Sequence, residues 1–297
     1  MMKMIILALS FYASVLAAAD APPMHWKGPV EMQEGFVQDM AAQFTRFYGT
    51  EVVVESEQGS EGIREVAARA VDAGGAGRKR LTGNPQERLV RQIPVAWDML
   101  VVVTHADNPV SNISLSQLKQ ILQGEITNWN ALGGKDAEIQ FLRREDRLSS
   151  VAASLHQRLG LDMDQNLAQA QVFADTDKLH EVLQSNPNTI AVESFVIARK
   201  LPVKLLQLEG VTPTVAALKA GEYPLYRPLY FTYVSMKNKR LREIKKFLKL
   251  AYSAPVKKTM ELNGLVPYLD SIKLVGMEKK RAAKPKLAAL DNKVVKP

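Results

Sequence analysis

Hydrophobic positions recur along this chain in two periods, one of two residues and one near 3.6, and the two take turns. His25–Val30 and Glu51–Glu55 read as short strands, the second a β-branched run suited to a buried position. Between them, Met32–Phe47 has helical spacing, with Phe36, Met40 and Phe44 on one face. Gly62–Val71 predicts another helix, and the Gly-rich stretch Asp72–Gly77 predicts a break. Ile93–Val103 predicts a longer apolar strand, interrupted by Trp97 and Asp98. Further strands are expected at Glu138–Arg143, Thr189–Val192, Val203–Leu208 and Tyr230–Ser235. Helices are expected at Ser149–Leu159 and, basic and amphipathic, at Leu241–Ala251. Strands alternating with helices in this way predict an α/β architecture.

The segment Asn108–Gly134 is the most completely specified. Ser114 is a good helix N-cap, and Gln117, three residues on, has capping-box spacing. Leu115, Leu118, Ile121 and Leu122 form an apolar stripe, and Gly124 offers the left-handed residue that ends a helix. Trp129 follows in an Asn-flanked loop, where it is expected to anchor packing.

The 297 residues suffice for substantial cores and favour two domains. There is no cysteine, which excludes disulfides, thiolate metal sites, a cysteine nucleophile and a lipoprotein anchor. Lys3, the apolar run Met4–Leu16 and Ala17-Ala18-Ala19 predict a signal peptide over 1–19, cleaved after Ala19, because the run is short for a bilayer. The mature protein is therefore expected in the periplasm. The formal charge of +8 is uneven: seven Lys and Arg against Glu278 and Asp291 place +5 of it in residues 278–297, which read as a mobile basic tail. No basic-aromatic stripe marks the body, so nucleic acid is not an expected partner. The four histidines lack metal-ligand spacing, and neither G-x-S-x-G nor a Walker A loop occurs. Neither an enzyme nor a cofactor is expected.

Five segments, taken in order, resemble the phosphate-binding proteins of bacterial ABC phosphate transporters. Asn108–Gly134 is similar to the segment that follows their crossover strand. Gly59–Val66 (GSEGIREV) is similar to their Gly/Ser loop opening a helix, and Asp72–Leu81 stands in the place of their DIGxSSRPL stretch. Thr212–Phe231 matches their late segment most closely, and Lys245–Tyr268 ends with a helix and NGLVPY as theirs usually do. The resemblance implies a type II periplasmic binding fold, an α/β protein whose two lobes are joined by two crossover strands. The crossings are expected near Val101–Thr104 and Tyr230–Val234. Lobe 1 would comprise 20–102 and 231–277, and the inserted lobe 103–230.

An oxyanion needs concentrated hydrogen-bond donors, which helix N-termini and arginine supply. Three loop-to-helix junctions fit. The first is Gly28–Glu31, with Val30 where the family has a GSTTV-like turn; the second offers Gly59, Ser60 and Gly62. The third is Arg144–Ser150. The resemblance implies that Arg144 is the charged ligand there, that Asp146 orients it through a salt bridge, and that Ser149 and Ser150 are donors. Arg78 stands where relatives carry two small hydroxyl residues or a Ser-Asp pair. Facing the cleft, it would favour a fully ionised oxyanion or a carboxylate, with weak discrimination of phosphate from sulfate.

The resemblance implies an exported, monomeric solute-binding protein that captures phosphate or a related oxyanion for an inner-membrane ABC permease. Pro29, Glu31, Glu61, Arg78 and Leu148 depart from the family pattern of small donors. They leave open an alternative: a binding fold with a lost or changed ligand, serving as a structural or signalling partner of another envelope protein.

Overall fold

In the computed structural model, which describes residues 22–57, 61–81, 83–145, 150–161, 170–235 and 239–281, ten strands share one sheet. The expected signal peptide lies outside these residues. Met24–Pro29 pairs in parallel with Val52–Glu57 on one side and Ala73–Ala76 on the other. Tyr226–Val234 then runs antiparallel to Ala73–Ala76 and to Val90–His105. Beyond it, Val90–His105 pairs with Thr189–Ser194, which leads in parallel to Gln140–Arg144 and Gln171–Phe173.

The sixteen-residue strand Val90–His105 joins the two halves of the sheet. Its residues Val90–Met99 pair with the return strand, and Leu100–Thr104 pair with Thr189–Ser194. Val95 and Ala96 belong to a first core with Trp26, Phe36, Phe44 and Phe247, whereas Trp97 and Met99–Val103 belong to a second with Trp129, Phe141 and Leu179. The return strand changes core between Tyr226 and Leu229. Both changes lie upstream of the expected crossings, because Val101–Val103 are buried on both faces inside the second core. The Pro94 position, which has no N–H for the ladder, coincides with a register shift opposite Leu229 and Tyr230.

The helical face Phe36, Met40 and Phe44 is buried as expected, and the helix ends at Gly49 with φ +71°. Ser114 and Gln117 form both halves of a capping box, and buried Trp129 donates from Nε1 to the Asn188 carbonyl at 3.0 Å. The Gly-rich stretch corrects the sequence reading: Ala73–Ala76 is a fully buried central strand rather than a break. A Cβ on Gly74 would stand 2.6 Å from the Lys27 carbonyl, and one on Gly75 2.7 Å from the Met32 sulfur. Those glycines answer close packing, not chain reversal.

The end of the chain corrects another expectation. Val266–Pro267 pairs with Val90–His105 at Trp97 and Ala96, and residues 272–281 are helical, with Leu274 buried in the second core. Val266 and Leu274, with partly buried Tyr268, Val275 and Met277, thus join the second core, while Pro267 pairs with Ala96 of the first. Glu278, expected to begin a mobile tail, pairs with Arg158 at 3.0 Å and Lys79 at 3.2 Å. The Arg158 side chain is 6% exposed, so removing Glu278 strands a buried cation. Truncation after Met277 should cost about 1–3 kcal/mol against truncation after Arg281, a drop of several degrees by differential scanning fluorimetry. Equal melting temperatures would show that the contact contributes nothing. Residues 282–297, the rest of the expected tail, lie outside the described residues.

Candidate functional site

At the C-terminal ends of strands from both halves lies a cavity of about 280 Å³. Pro29, Val30 and Glu57 come from the first half, and Arg144, Thr176 and Glu193 from the second. Parallel strands deliver helix starts and loops to this edge, which is where open α/β sheets bind ligands. The apolar part of the wall includes Val30, Val151, Ile197 and Leu201.

The wall's polar groups are tied together. Arg144 Nη2 donates to Glu193 Oε2 at 2.6 Å, and its Nε donates to Thr176 Oγ1 at 2.9 Å. His180 Nε2 lies 3.1 Å from the same Glu193 oxygen. The other oxygen, Oε1, accepts the Ser194 N–H at 2.8 Å. Burial pushes the Glu193 carboxyl up, but Arg144 and His180 outweigh it and hold it at about 2. Ser194 Oγ donates to Asp98 at 2.9 Å, and Arg227 donates to Asp98 at 2.9 Å and to Glu31 at 2.6 Å. A continuous buried chain thus runs from the cavity wall to the point where the strands change core. Burial raises Asp98 to about 7, against the pull of Arg227 and with added push from Glu31.

Arg144 and Val30 are the predicted ligands that meet at the cavity. Gly62 is buried, and a Cβ there would stand 2.6 Å from the Lys27 carbonyl, so it seats its helix on the first strand. Arg78 is 5% exposed and turns from the cavity to Glu87, donating to its two oxygens at 3.0 and 2.8 Å. Burial pushes Glu87 up, but the Arg78 hydrogen bond and charge leave its pKa below the ordinary value. Gly59, Ser60, Asp146 and Ser149 lie outside the described residues, as does the side chain of Ser150, the first residue of helix Ser150–Leu159. The expected Arg144–Asp146 bridge therefore lies outside them too. The partner seen for Arg144 is Glu193.

Glu193, His180 and Thr176 were missed by sequence reasoning. The signal for Glu193 was present in the run Thr189–Ser194: a carboxylate inside an apolar strand must find a buried partner. The same holds for Asp98 in Val90–His105. Nothing in local pattern marks His180 or Thr176, which enter from helix Thr176–Ser185, an element the periodicity left unassigned.

Two half-sheets, crossing strands at their junction and a polar cavity at the strand ends define a two-lobed solute-binding protein of the type II periplasmic class. The chain belongs to the PBP superfamily domain family, whose model matches residues 31–255. It is 25% identical over 224 residues to the phosphate-binding protein PstS of Bacillus subtilis, covering 74% of this chain and 72% of that one. It is 25% identical over 189 residues to the PstS of Borreliella burgdorferi, covering 61% of this chain and 67% of that one. Among solved structures, a phosphate ABC transporter substrate-binding protein from Clostridium perfringens, with bound phosphate, superposes with TM-score 0.74 at 24% identity. That alignment covers 82% of this chain and 99% of that one.

Proposed function

We propose that this protein captures phosphate, or a closely related oxyanion, between its two lobes and delivers it to an ABC permease. The observation that carries the reading is the position of Arg144: a family member named for phosphate binding aligns with this chain, and Arg144 stands on the cavity wall where the two half-sheets meet. A guanidinium offers a planar fork of donors matched to an oxyanion. Val30, at the start of the helical segment, adds a backbone N–H at the opposite wall. Gly59, Ser60, Ser149 and Ser150 are proposed as further donors, and Asp146 as the carboxylate that orients Arg144. Arg78, locked to Glu87, serves the cleft by fixing the turn beyond Ala73–Ala76. No described helix is long and apolar enough to cross a membrane. Export by the N-terminal signal remains part of the proposal.

A second reading, a cleft whose ligand has changed, is favoured by one feature. The cavity wall carries Glu31, Glu34, Glu57, Asp177 and Glu193 against Arg144 and Lys200. A thermal-shift series with phosphate, sulfate and small carboxylates separates the two readings. Phosphate at about a hundred times its Kd should add about 2.7 kcal/mol to the unfolding free energy. Arg144→Ala should abolish that response, and Arg144→Lys should restore only part of it. A response to carboxylates alone would establish the second reading.

A further inference from the structure

Helix Ser150–Leu159 begins on the cavity wall, where Val151 lines it, and its far end is held by the helix over residues 272–281. Arg158 lies about two turns from that start. Its Nη2 stands 3.0 Å from Glu278 Oε2, and among the described residues Glu278 is the one carboxylate paired with it. The Arg158 guanidinium also lies over the Tyr226 ring of the return strand, 4.4 Å from the centroid. The other oxygen of Glu278, Oε1, accepts from Lys79 Nζ at 3.2 Å. Lys79 follows strand Ala73–Ala76 of the first half, next to Arg78 in the turn that Glu87 fixes.

One carboxylate thus reaches both halves of the molecule. Its own helix belongs with the second: Leu274 is buried in the second core, and Ser271 Oγ donates to the Lys219 carbonyl at 2.8 Å. A further contact crosses between the halves beside it. Ser154 Oγ, about one turn nearer the cavity than Arg158, donates to the Gly77 carbonyl at 2.9 Å, out of reach of solvent. Arg281 Nη1, 3.5 Å from Glu278 Oε2, completes the group. The family model matches residues 31–255, so Glu278 is supplied from outside that span.

We propose that Glu278 is a positioning residue of the anion site: by joining Arg158 to Lys79, it holds the helix that starts on the cavity wall against the first half-sheet. Arg144 and Val30 line the cavity from different halves, so an anion between them is gripped only as well as those halves are kept in register. A tie that keeps the walls assembled before the ligand arrives removes an ordering cost from binding. Without Glu278 that cost falls on the anion. Glu278 is not itself a residue of the cavity wall and acts through Arg158 and Lys79. This inference rests on the anion-binding reading above.

The test measures two quantities on the same full-length variants: affinity for inorganic phosphate by calorimetry, and the unfolding midpoint in urea. Glu278→Gln should bind phosphate about tenfold more weakly, the scale of an added ordering cost. It should also unfold more easily, since Arg158 is left a buried cation. Arg158→Met/Glu278→Gln removes both charges and should regain the lost midpoint while affinity stays low. Lys79→Met, at a side chain 46% exposed, should leave the midpoint nearly unchanged and weaken phosphate binding about threefold. Wild-type affinity in Glu278→Gln, or affinity that returns with the midpoint in the double variant, would make Glu278 a residue of the fold alone and overturn the proposal. Wild-type affinity in Lys79→Met would show that the tie does not reach the first half, and would overturn it too. Should Glu278→Gln fail to fold, the double variant and Lys79→Met decide the matter. No phosphate binding by wild type would sink the anion-binding reading itself, and this inference with it.

Discussion

Replacing Arg227 with alanine should lower the unfolding free energy by about 3–5 kcal/mol. Arg227 is 1% exposed and donates from Nε and Nη2 to Asp98 at 3.0 and 2.9 Å, and from Nη2 to Glu31 at 2.6 Å. It sits opposite Asp98 in the pairing of the two crossing strands, where the chain passes from one core to the other. Alanine removes the cation that Glu31 and Asp98 share and leaves both acidic groups buried without it. That is the costly way to break such a group; removing charge from all members together is often nearly neutral. The single variant should therefore be much less stable than wild type in urea denaturation, and Glu31→Gln/Asp98→Asn/Arg227→Met should recover most of the loss. The coupling should exceed about 1 kcal/mol, as for groups in one hydrogen-bonded network. A loss below about 1 kcal/mol for Arg227→Ala would mean water reaches the carboxylates.

How much of this was legible in the sequence follows from what each element depends on. The helix after Ser114 depends on a cap and a stripe, both local, and it formed as read. Val90–His105 and Tyr226–Val234 were found but drawn short, because Arg91, Gln92 and Arg227 lie outside their apolar runs; Asp98 and Arg227 are the charged residues buried within the two strands. Each is polar for the sake of the other, a pairing set by strand register across 129 residues. Glycines at 74 and 75 suggested a turn, since sequence cannot distinguish a glycine needed for φ from one needed for close approach. The same limit governs the site. Arg144 was legible from the motif around it, but its partner Glu193 lies 49 residues away on a neighbouring strand. Arg78 was legible as a charge near a strand end, while its direction was decided by Glu87. Net charge misled as well. In a chain of formal +8 the charged residues of the cavity wall are mostly carboxylates, because the excess cations lie elsewhere, several of them in the last twenty residues.

Stability should rise as pH is lowered from 8 to about 5, the reverse of what carboxylates usually impose, and Asp98 is the reason. Its folded pKa is raised from 3.8 to about 7 by burial and by Glu31, with Arg227 opposing. A group raised on folding contributes stability that is fully present below its unfolded pKa and is lost as pH climbs through the folded value. The difference corresponds to at most about 4 kcal/mol between pH 4 and pH 7, reduced by any water that reaches the site. Glu193 works in the opposite sense. Held at about 2, it contributes above its ordinary 4.5 and loses that contribution as pH falls toward 2. The two together predict a stability maximum between pH 4 and 5, with an upper limb set by Asp98 and a lower limb set in part by Glu193. Urea midpoints measured from pH 3 to pH 8 should trace that shape. Asp98→Asn, an isosteric side chain that never ionises, should flatten the upper limb and leave the lower one. A wild-type midpoint that stays level or climbs from pH 5 to pH 8 would show that Asp98 is ionised throughout. The Arg227 guanidinium would then outweigh the burial of its partner.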